Sequence, residues 1–303
     1  MATFDVCALG CVCWDYVGIV EEYPELDEKA LLTDLIQMGG GLSATAMSAV
    51  AALGGKAKIF GRMGDDDFGD KIAAAFDAEG VDHSGIEVLP GITSQFAFCV
   101  AHKSSGRRTI FWKPGTYQRM LPGEVDLTAL TDCRCLLIDH HHLRAAVEAG
   151  HYARAHGVPV VSDIERVQPG AEEFVAASDY PIVPRRFARD LTGEADLRLA
   201  ADKLLDLGPQ VVIITQGEEG VTAFLRQGEI HQPAFQVEPI VDTTGAGDVF
   251  HGVFAYGLAL GQDLPEALRF AAAAAALSCR GLGGRGALAT MAEVTALLST
   301  PPA

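Results

Sequence analysis

The sequence predicts a three-layer α/β domain: helices cover both faces of a mostly parallel sheet, and a small β-sheet is set on it as a lid. Three observations carry this prediction. Short apolar runs alternate with longer Ala-rich segments along most of the 303 residues. Repeated strand–helix units of that size imply a parallel sheet buried on both faces. Two stretches, 17–37 and 94–117, break the rhythm with β-branched and aromatic residues in alternation and no helical period. Finally, a composition of 49 % hydrophobic and 21 % charged residues is that of a globular chain, long enough for one large domain with an insertion. The expected organisation is a single domain, 1–303, with the lid formed by about 12–38 and 93–117.

The elements follow in order. Residues 4–9 read as a strand and 43–53 as a helix closed by Gly54 and Gly55. A strand is expected at 58–60 and a helix at 70–79, stopped by Gly80. Segments 135–139 and 159–163 read as strands flanking a helix at 143–156. Then come a helix at 196–207, a strand at 211–215, and helices at 247–260 and 264–279. Segments 95–101 and 108–112 flank Ser104-Ser105-Gly106, which reads as a hairpin. Ligands of such sheets bind beyond the carboxyl ends of the strands. Function is therefore sought just after Leu9, Ile138 and Thr215.

Charge and cysteine usage exclude several classes. With 23 Lys+Arg against 40 Asp+Glu the formal net charge is −17, and no clustered basic stripe offsets it, so nucleic acid is not an expected partner. No run approaches the roughly 18 apolar residues of a membrane span, and no basic-then-apolar leader opens the chain, so no membrane partner is expected. Seven cysteines, at 7, 11, 13, 99, 133, 135 and 279, are an odd number in no secretory context. They read as reduced, buried thiols of a cytoplasmic protein. Each of the pairs Cys11/Cys13 and Cys133/Cys135 falls on one face of a strand if its segment is extended. With His140, His141 and His142 they suggest zinc, but the C-x₂₋₄-C spacing of tetrahedral sites is absent.

The most informative segment is 240–252, IVDTTGAGDVFHG. Gly245, Ala246 and Gly247 precede an apolar helix, so backbone N–H groups and the positive helix end can converge on a transferring phosphoryl group. A carboxylate beside a phosphate does not bind it. Asp248 is therefore placed to accept the proton of an attacking hydroxyl, and the plainer reading is a helix-start carboxylate. No G-x-x-x-x-G-K-[ST] occurs, and no G-x-G-x-x-G follows the first strand.

Four separated motifs stand in order: GGGLSATAMSAVAALG at 39–54, GRMGDDDFG at 61–69, TQG at 215–217 and DTTGAGD at 242–248. Over essentially its whole length the chain resembles the ribokinase-like (PfkB-type) carbohydrate kinases. The resemblance implies Asp248 as catalytic base with Gly245, Ala246 and Gly247 as the anion hole. It implies ATP at Thr215, Gly217, Gly220, Thr244 and Gly247, with Mg²⁺, and a monovalent cation such as K⁺ near Asp242 and Thr244. It also implies a lid that supports a homodimer, and an acidic residue, here Asp15, that holds sugar hydroxyls while Gly40 and Gly41 let the backbone approach. The pattern departs from the family at two places. Thr45 stands where a sugar-reading Asn is usual, and the Asn-x-x-Glu motif that supports Mg²⁺ and phosphate falls at Pro184-Arg185-Arg186-Phe187, where either arginine is a candidate for phosphate.

Lys29, Arg108, Trp112, Lys113 and His141 are placed by the resemblance on the lid or at a central strand end, as candidates for choosing the substrate; the plainer reading of each cation is a solvated charge. HQPAF at 231–235 together with 241–252 looks closest to the sulfofructose kinase branch, although Trp112 and His141 replace that branch's Asn and Arg. The expected function is ATP-dependent phosphorylation of a primary hydroxyl of a sugar or sugar derivative, with a ketose favoured. The alternatives are a nucleoside kinase of the same fold and a non-catalytic sugar or nucleotide sensor.

Overall fold

Alternation along the first strand sets the architecture. In β1 (Phe4–Leu9), Val6 and Ala8 pack into one apolar cluster while Cys7 and Leu9 pack into another on the opposite face. Every side chain in the second half of β1 is buried, as a central parallel strand requires. The computed structural model describes residues 2–299; the expected domain, 1–303, has its first residue and last four outside the described residues.

The large sheet contains β1, β4 (Ala57–Gly64), β5 (Asp82–Leu89), β8 (Cys133–Asp139), β9 (Val160–Asp163), β10 (Tyr180–Pro184), β11 (Val212–Thr215), β12 (Val221–Phe224) and β13 (Glu229–Gln232). Its order is β13-β12-β11-β10-β9-β8-β1-β4-β5. All pairs from β11 to β5 are parallel, and β12 and β13 add an antiparallel edge. The smaller sheet contains β2 (Cys13–Val20), β3 (Asp34–Gly40), β6 (Phe96–His102) and β7 (Arg108–Lys113), in the order β3-β2-β6-β7. The hairpin expected around Ser104 is the antiparallel β6–β7 pair, whereas β2 and β6 run parallel.

One face of the large sheet is covered by α1 (Leu42–Ala52), α2 (Asp67–Glu79), α8 (Ala246–Ala259), α9 (Leu264–Ser278) and α10 (Met291–Leu298). The other carries α3 (Leu127–Leu130), α4 (Leu143–Ala155), α5 (Ala171–Ala176), α6 (Arg185–Thr192) and α7 (Leu197–Leu205). The predicted three layers are therefore present. α2 begins three residues before the expected start because Asp66, inside an acidic run, caps it by accepting from Gly69 N at 2.9 Å.

The antiparallel edge strands and β5 and β10 escape the periodicity reading, being short or lacking a clean apolar face. The cysteine-face reading also needs correcting. Cys11 lies before β2 rather than in a strand, and Cys133 and Cys135 pack into opposite apolar clusters, with Cys133, the first residue of β8, turned to the Leu130 carbonyl at 3.5 Å. All seven thiols are free and buried, and among the described residues no group of three or more His, Cys, Asp or Glu side chains forms a ready-made metal cage.

Candidate active site

The carboxyl ends of the parallel strands bring together the residues with chemistry. Asp139 ends β8, Asp163 ends β9, Pro184 ends β10 and Thr215 ends β11. α8 packs across β8, β1 and β9, which points its N-terminus at the same edge. Gly245 is the helix cap at φ 75°, and a Cβ there would come within 2.5 Å of Gly284 Cα. Glycine is thus demanded both by the left-handed backbone and by the close approach of the 283–286 loop. An added Cβ at Gly247 meets nothing within 4 Å, so space stands open in front of the turn. The Gly247 and Asp248 N–H groups find no acceptor among the described residues, as expected of a first helical turn.

Asp248 lies half-buried in that first turn. Burial, with Asp163 and Glu165 nearby, raises its pKa well above the usual carboxylate range; His251 and Arg108 partly oppose this. One turn on, His251 sets its ring nitrogens 2.6 Å from Gly247 O and 3.1 Å from Ile182 O, tying α8 to β10. Asp242, fully buried, accepts from Thr244 N at 2.9 Å, Thr244 Oγ1 at 2.7 Å and Gly283 N at 2.9 Å, and so braces the turn against the 283–286 loop. Thr215 is half-buried at its strand end, and Gly217 opens a short 3-10 turn that Gly220 closes at φ 94°. A Cβ at Gly220 would lie 2.2 Å from Gln232 O.

Asp15, on β2, is 8 % exposed, and burial raises its pKa, with Cys13 and Arg285 opposing. Gly40 faces it so closely that a Cβ would fall 2.0 Å from Asp15 Oδ2. Gly41 precedes α1 at φ 96°, its Cβ position 2.5 Å from Cys11 O. Beneath this wall lies Arg285. Its Nη1 donates to Glu79 Oε2 at 2.8 Å, its Nη2 to Gly40 O at 3.1 Å, and Nε lies 3.5 Å from Thr45 Oγ1. Asp139 closes the crevice floor. Its Oδ2 accepts from Cys11 N at 2.7 Å, Ser43 N at 3.2 Å and Ser43 Oγ at 2.7 Å, and Oδ1 accepts from His141 N at 2.7 Å.

Residues 3–291 match the pfkB family of carbohydrate kinases. The chain belongs to that family. It is 32 % identical over 299 residues to ribokinase of Bacillus subtilis (strain 168), covering 97 % of this chain and 99 % of that one. It is 27 % identical over 308 residues to deoxyribokinase of Salmonella typhi, covering 97 % and 99 %. It superposes on Arabidopsis thaliana ribokinase complexed with ribose and ATP at a TM-score of 0.86 and 25 % identity, covering 99 % and 100 % of the two chains.

Against the family pattern, several candidates sit apart. Lys29 lies on the exposed β2–β3 connection with no hydrogen bond or ion pair among the described residues. Arg108 reaches not along the smaller sheet toward Asp15 but across to Thr243 Oγ1 at 3.4 Å, and Thr243 N also donates to Gly106 O at 3.3 Å. The β6–β7 hairpin thus docks on the lead-in to the Gly245–Gly247 turn. Trp112 stands 5.8 Å from the Arg166 guanidinium, just beyond β9. His141 sits 3.0 Å from Tyr117 Oη and burial lowers its pKa to about 4, so at neutral pH it carries no charge. At the Asn-x-x-Glu position, Phe187 is 1 % exposed in the core, Arg185 reaches Gln216 Oε1 at 2.8 Å, and Arg186 pairs with Asp190. These residues do not fit a magnesium ion.

Sequence reasoning missed Arg285, Asp139, Asp163, Glu165 and the tie through His251. A charge inside the glycine-rich stretch 281–286, and acids closing the apolar runs of β8 and β9, were the available signals.

Proposed function

We propose that this pfkB-family kinase transfers the γ-phosphoryl group of ATP to a primary hydroxyl of an uncharged sugar, with Asp248 as base. The observation that carries the reading is Asp248 itself: a carboxylate of raised pKa beside two unpaired N–H groups at a helix N-terminus with open space in front. A non-catalytic sensor has no use for a base at that position.

The chain's own residues account for each step. Asp15 and the Gly40–Gly41 backbone bind vicinal hydroxyls and orient the sugar, with Arg285 holding the Gly40 carbonyl beneath. Thr45 contributes a hydroxyl where an amide is usual. Thr215, Gly217 and Gly220 border the nucleotide. Asp248 takes the hydroxyl proton as the oxygen attacks phosphorus in line, and the bond to the ADP oxygen breaks. The Gly247 and Asp248 N–H groups, at the positive end of α8, hold the charge on the transferring oxygens. Magnesium, when bound with ATP, supplies neutralisation of the phosphate charge. The docked β6–β7 hairpin excludes water. A K⁺ ion beside Asp242 and Thr244 belongs to the reading, supported by the fully buried Asp242 carboxylate that no cationic side chain pairs among the described residues.

A furanose-forming sugar, either a ketose or the ribose named for the relatives, suits this wall, because both offer vicinal ring hydroxyls and an exocyclic primary one. Sulfofructose gains no support. Its sulfonate needs a cation, whereas His141 is neutral, Arg285 is consumed by Glu79 and Gly40, and Lys29 stands in solvent. The exposed Ile110 and Phe111 on β7 and Leu35 on β3 support a homodimer through the smaller sheet, and seven free thiols suit a reducing cytoplasm. No helix among the described residues is long and apolar enough to cross a membrane.

The test is ADP release across ketoses, aldopentoses, nucleosides and acidic sugars. Turnover on a neutral pentose or ketose is expected. Turnover confined to nucleosides or anionic sugars would overturn the substrate reading, and silence with ligand-dependent thermal shifts would overturn the kinase.

A further inference from the structure

Three consecutive glycines, Gly39, Gly40 and Gly41, lead from β3 into α1. The last two are explained by the approach of Asp15 and by a left-handed backbone. Gly39 has neither reason. What stands against it is Arg285: a Cβ at Gly39 would lie 2.5 Å from Nη1 and 2.9 Å from Cζ. The missing side chain opens the space that a guanidinium fills.

The Arg285 side chain is 4 % exposed and arrives from the loop after α9. Its Cζ stands 5.4 Å from the Phe76 ring centre. Nη1 reaches Glu79, the last residue of α2, whose Oε2 also accepts from Ser48 Oγ at 2.6 Å. Nη2 donates to the Gly40 carbonyl, and Gly40 pairs in register with Cys13, two residues before Asp15. The guanidinium is thus fixed from α2 and in turn fixes the end of β3 beside Asp15. A buried guanidinium is costly without acids around it. Glu79 meets it directly, and Asp15 and Asp248 act on it electrostatically.

Asp15 in turn acts on three thiols, Cys13 on β2, Cys11 ahead of it and Cys99 on β6, which burial pushes up and keeps neutral. Lys71 of α2 lies over Trp14, the neighbouring residue on the opposite face of β2. Burial drives the Asp15 carboxyl up, and the Cys13 thiol and the Arg285 charge oppose it. Only an ionised carboxylate offers both oxygens as acceptors to vicinal hydroxyls.

We propose that Arg285 is the positioning residue of the Asp15–Gly40 wall: clamped by Glu79, it fixes the Gly40 carbonyl and supplies the positive charge that lets Asp15 accept sugar hydroxyls. The inference rests on the kinase reading above, in which that wall takes the sugar.

The experiment measures sugar affinity by calorimetry from about pH 5 to about pH 9, with D-ribose and D-fructose as probes, no nucleotide, and ADP affinity as the control. Arg285→Gln is expected to weaken the sugar about tenfold at neutral pH and to move the acid limb of binding up by about one pH unit. Glu79→Gln removes the acid that offsets Arg285, so its acid limb moves to lower pH. Arg285→Lys keeps the charge and loses the planar fork, so its limb stays in place while affinity falls several-fold. ADP affinity stays within about twofold throughout. If Arg285→Gln does not fold, Glu79→Gln and Arg285→Lys decide alone. An acid limb that Glu79→Gln and Arg285→Gln both leave in place would overturn the assignment. So would an equal loss of sugar and ADP affinity at every pH, the mark of a purely structural role. A wild type that binds ADP but neither sugar would remove the sugar reading of the wall, and the proposal with it.

Discussion

Asp139 and Asp248 are both aspartates at one crevice, and their environments push them in opposite directions. Asp139 accepts four hydrogen bonds, and its pKa is held below the usual carboxylate range, against burial, by the nearby His141 and His140 and by the Cys11 and Ser43 donors. A depressed folded pKa contributes stability that is present above the unfolded value and lost as pH falls through the folded one. Asp139→Asn is therefore expected to cost about 2 kcal/mol or more at neutral pH and to flatten the loss of stability below pH ~4, both read by denaturant melts across pH. For Asp248 the sign reverses. Its raised pKa means that ionisation at neutral pH opposes folding, and that protonation disables the base as pH falls through that raised value. The acid limb of kcat/KM should lie above the ordinary carboxylate range of about 4, and Asp248→Asn should melt at a higher temperature than the wild type while turning over far more slowly. A limb at or below pH ~4 would contradict the environment described.

At the scale of elements, two glycines make steep predictions because each is met by something that cannot move away cheaply. A methyl group at Gly40 would land 2.0 Å from Asp15 Oδ2. Gly40→Ala should raise the sugar KM by an order of magnitude or so with little change in the ATP KM, as steady-state kinetics would show. Gly245→Ala carries both a left-handed φ of 75° and the 2.5 Å approach to Gly284, so it should reduce kcat and stability together. The turn ahead of α8 was legible in the sequence because its pattern is local: small residues, a helix start and two acids within seven positions. The Asp15–Gly40 wall was legible only in part. Asp15 and Gly40 meet through strand pairing and Arg285 arrives from 240 residues after Thr45, a contact that no local pattern encodes. Arg108 was assigned to the sugar by its place on the lid, yet a hairpin tip is aimed by its docking, and it docks on Thr243.

For the molecule as a whole, the alternation of apolar runs was enough to predict three layers, since burying both faces of a parallel sheet constrains nearly every strand. What it hid were edge strands, whose exposed faces carry no clean signal. β13 is such an edge, with Glu229 and His231 exposed in alternation, whereas β7, exposed along its whole length with Phe111 at 63 %, was found only through its hairpin turn. If the smaller sheet pairs two copies, Phe111→Glu should convert a dimer to a monomer by light scattering after gel filtration, without lowering turnover more than a few-fold. The net charge of −17 first excludes nucleic acid. It also means that the protein meets ATP against its own field, so the crevice must supply local positive potential from backbone N–H groups, α8 and a divalent cation. The central claim remains the role of Asp248, and one comparison tests it most directly: turnover of the best neutral sugar by wild type and Asp248→Asn, with ADP affinity measured on both. The account predicts a loss of about 10²-fold to 10⁴-fold in kcat with ADP affinity unchanged within about twofold. Turnover of Asp248→Asn within a few-fold of wild type would contradict it.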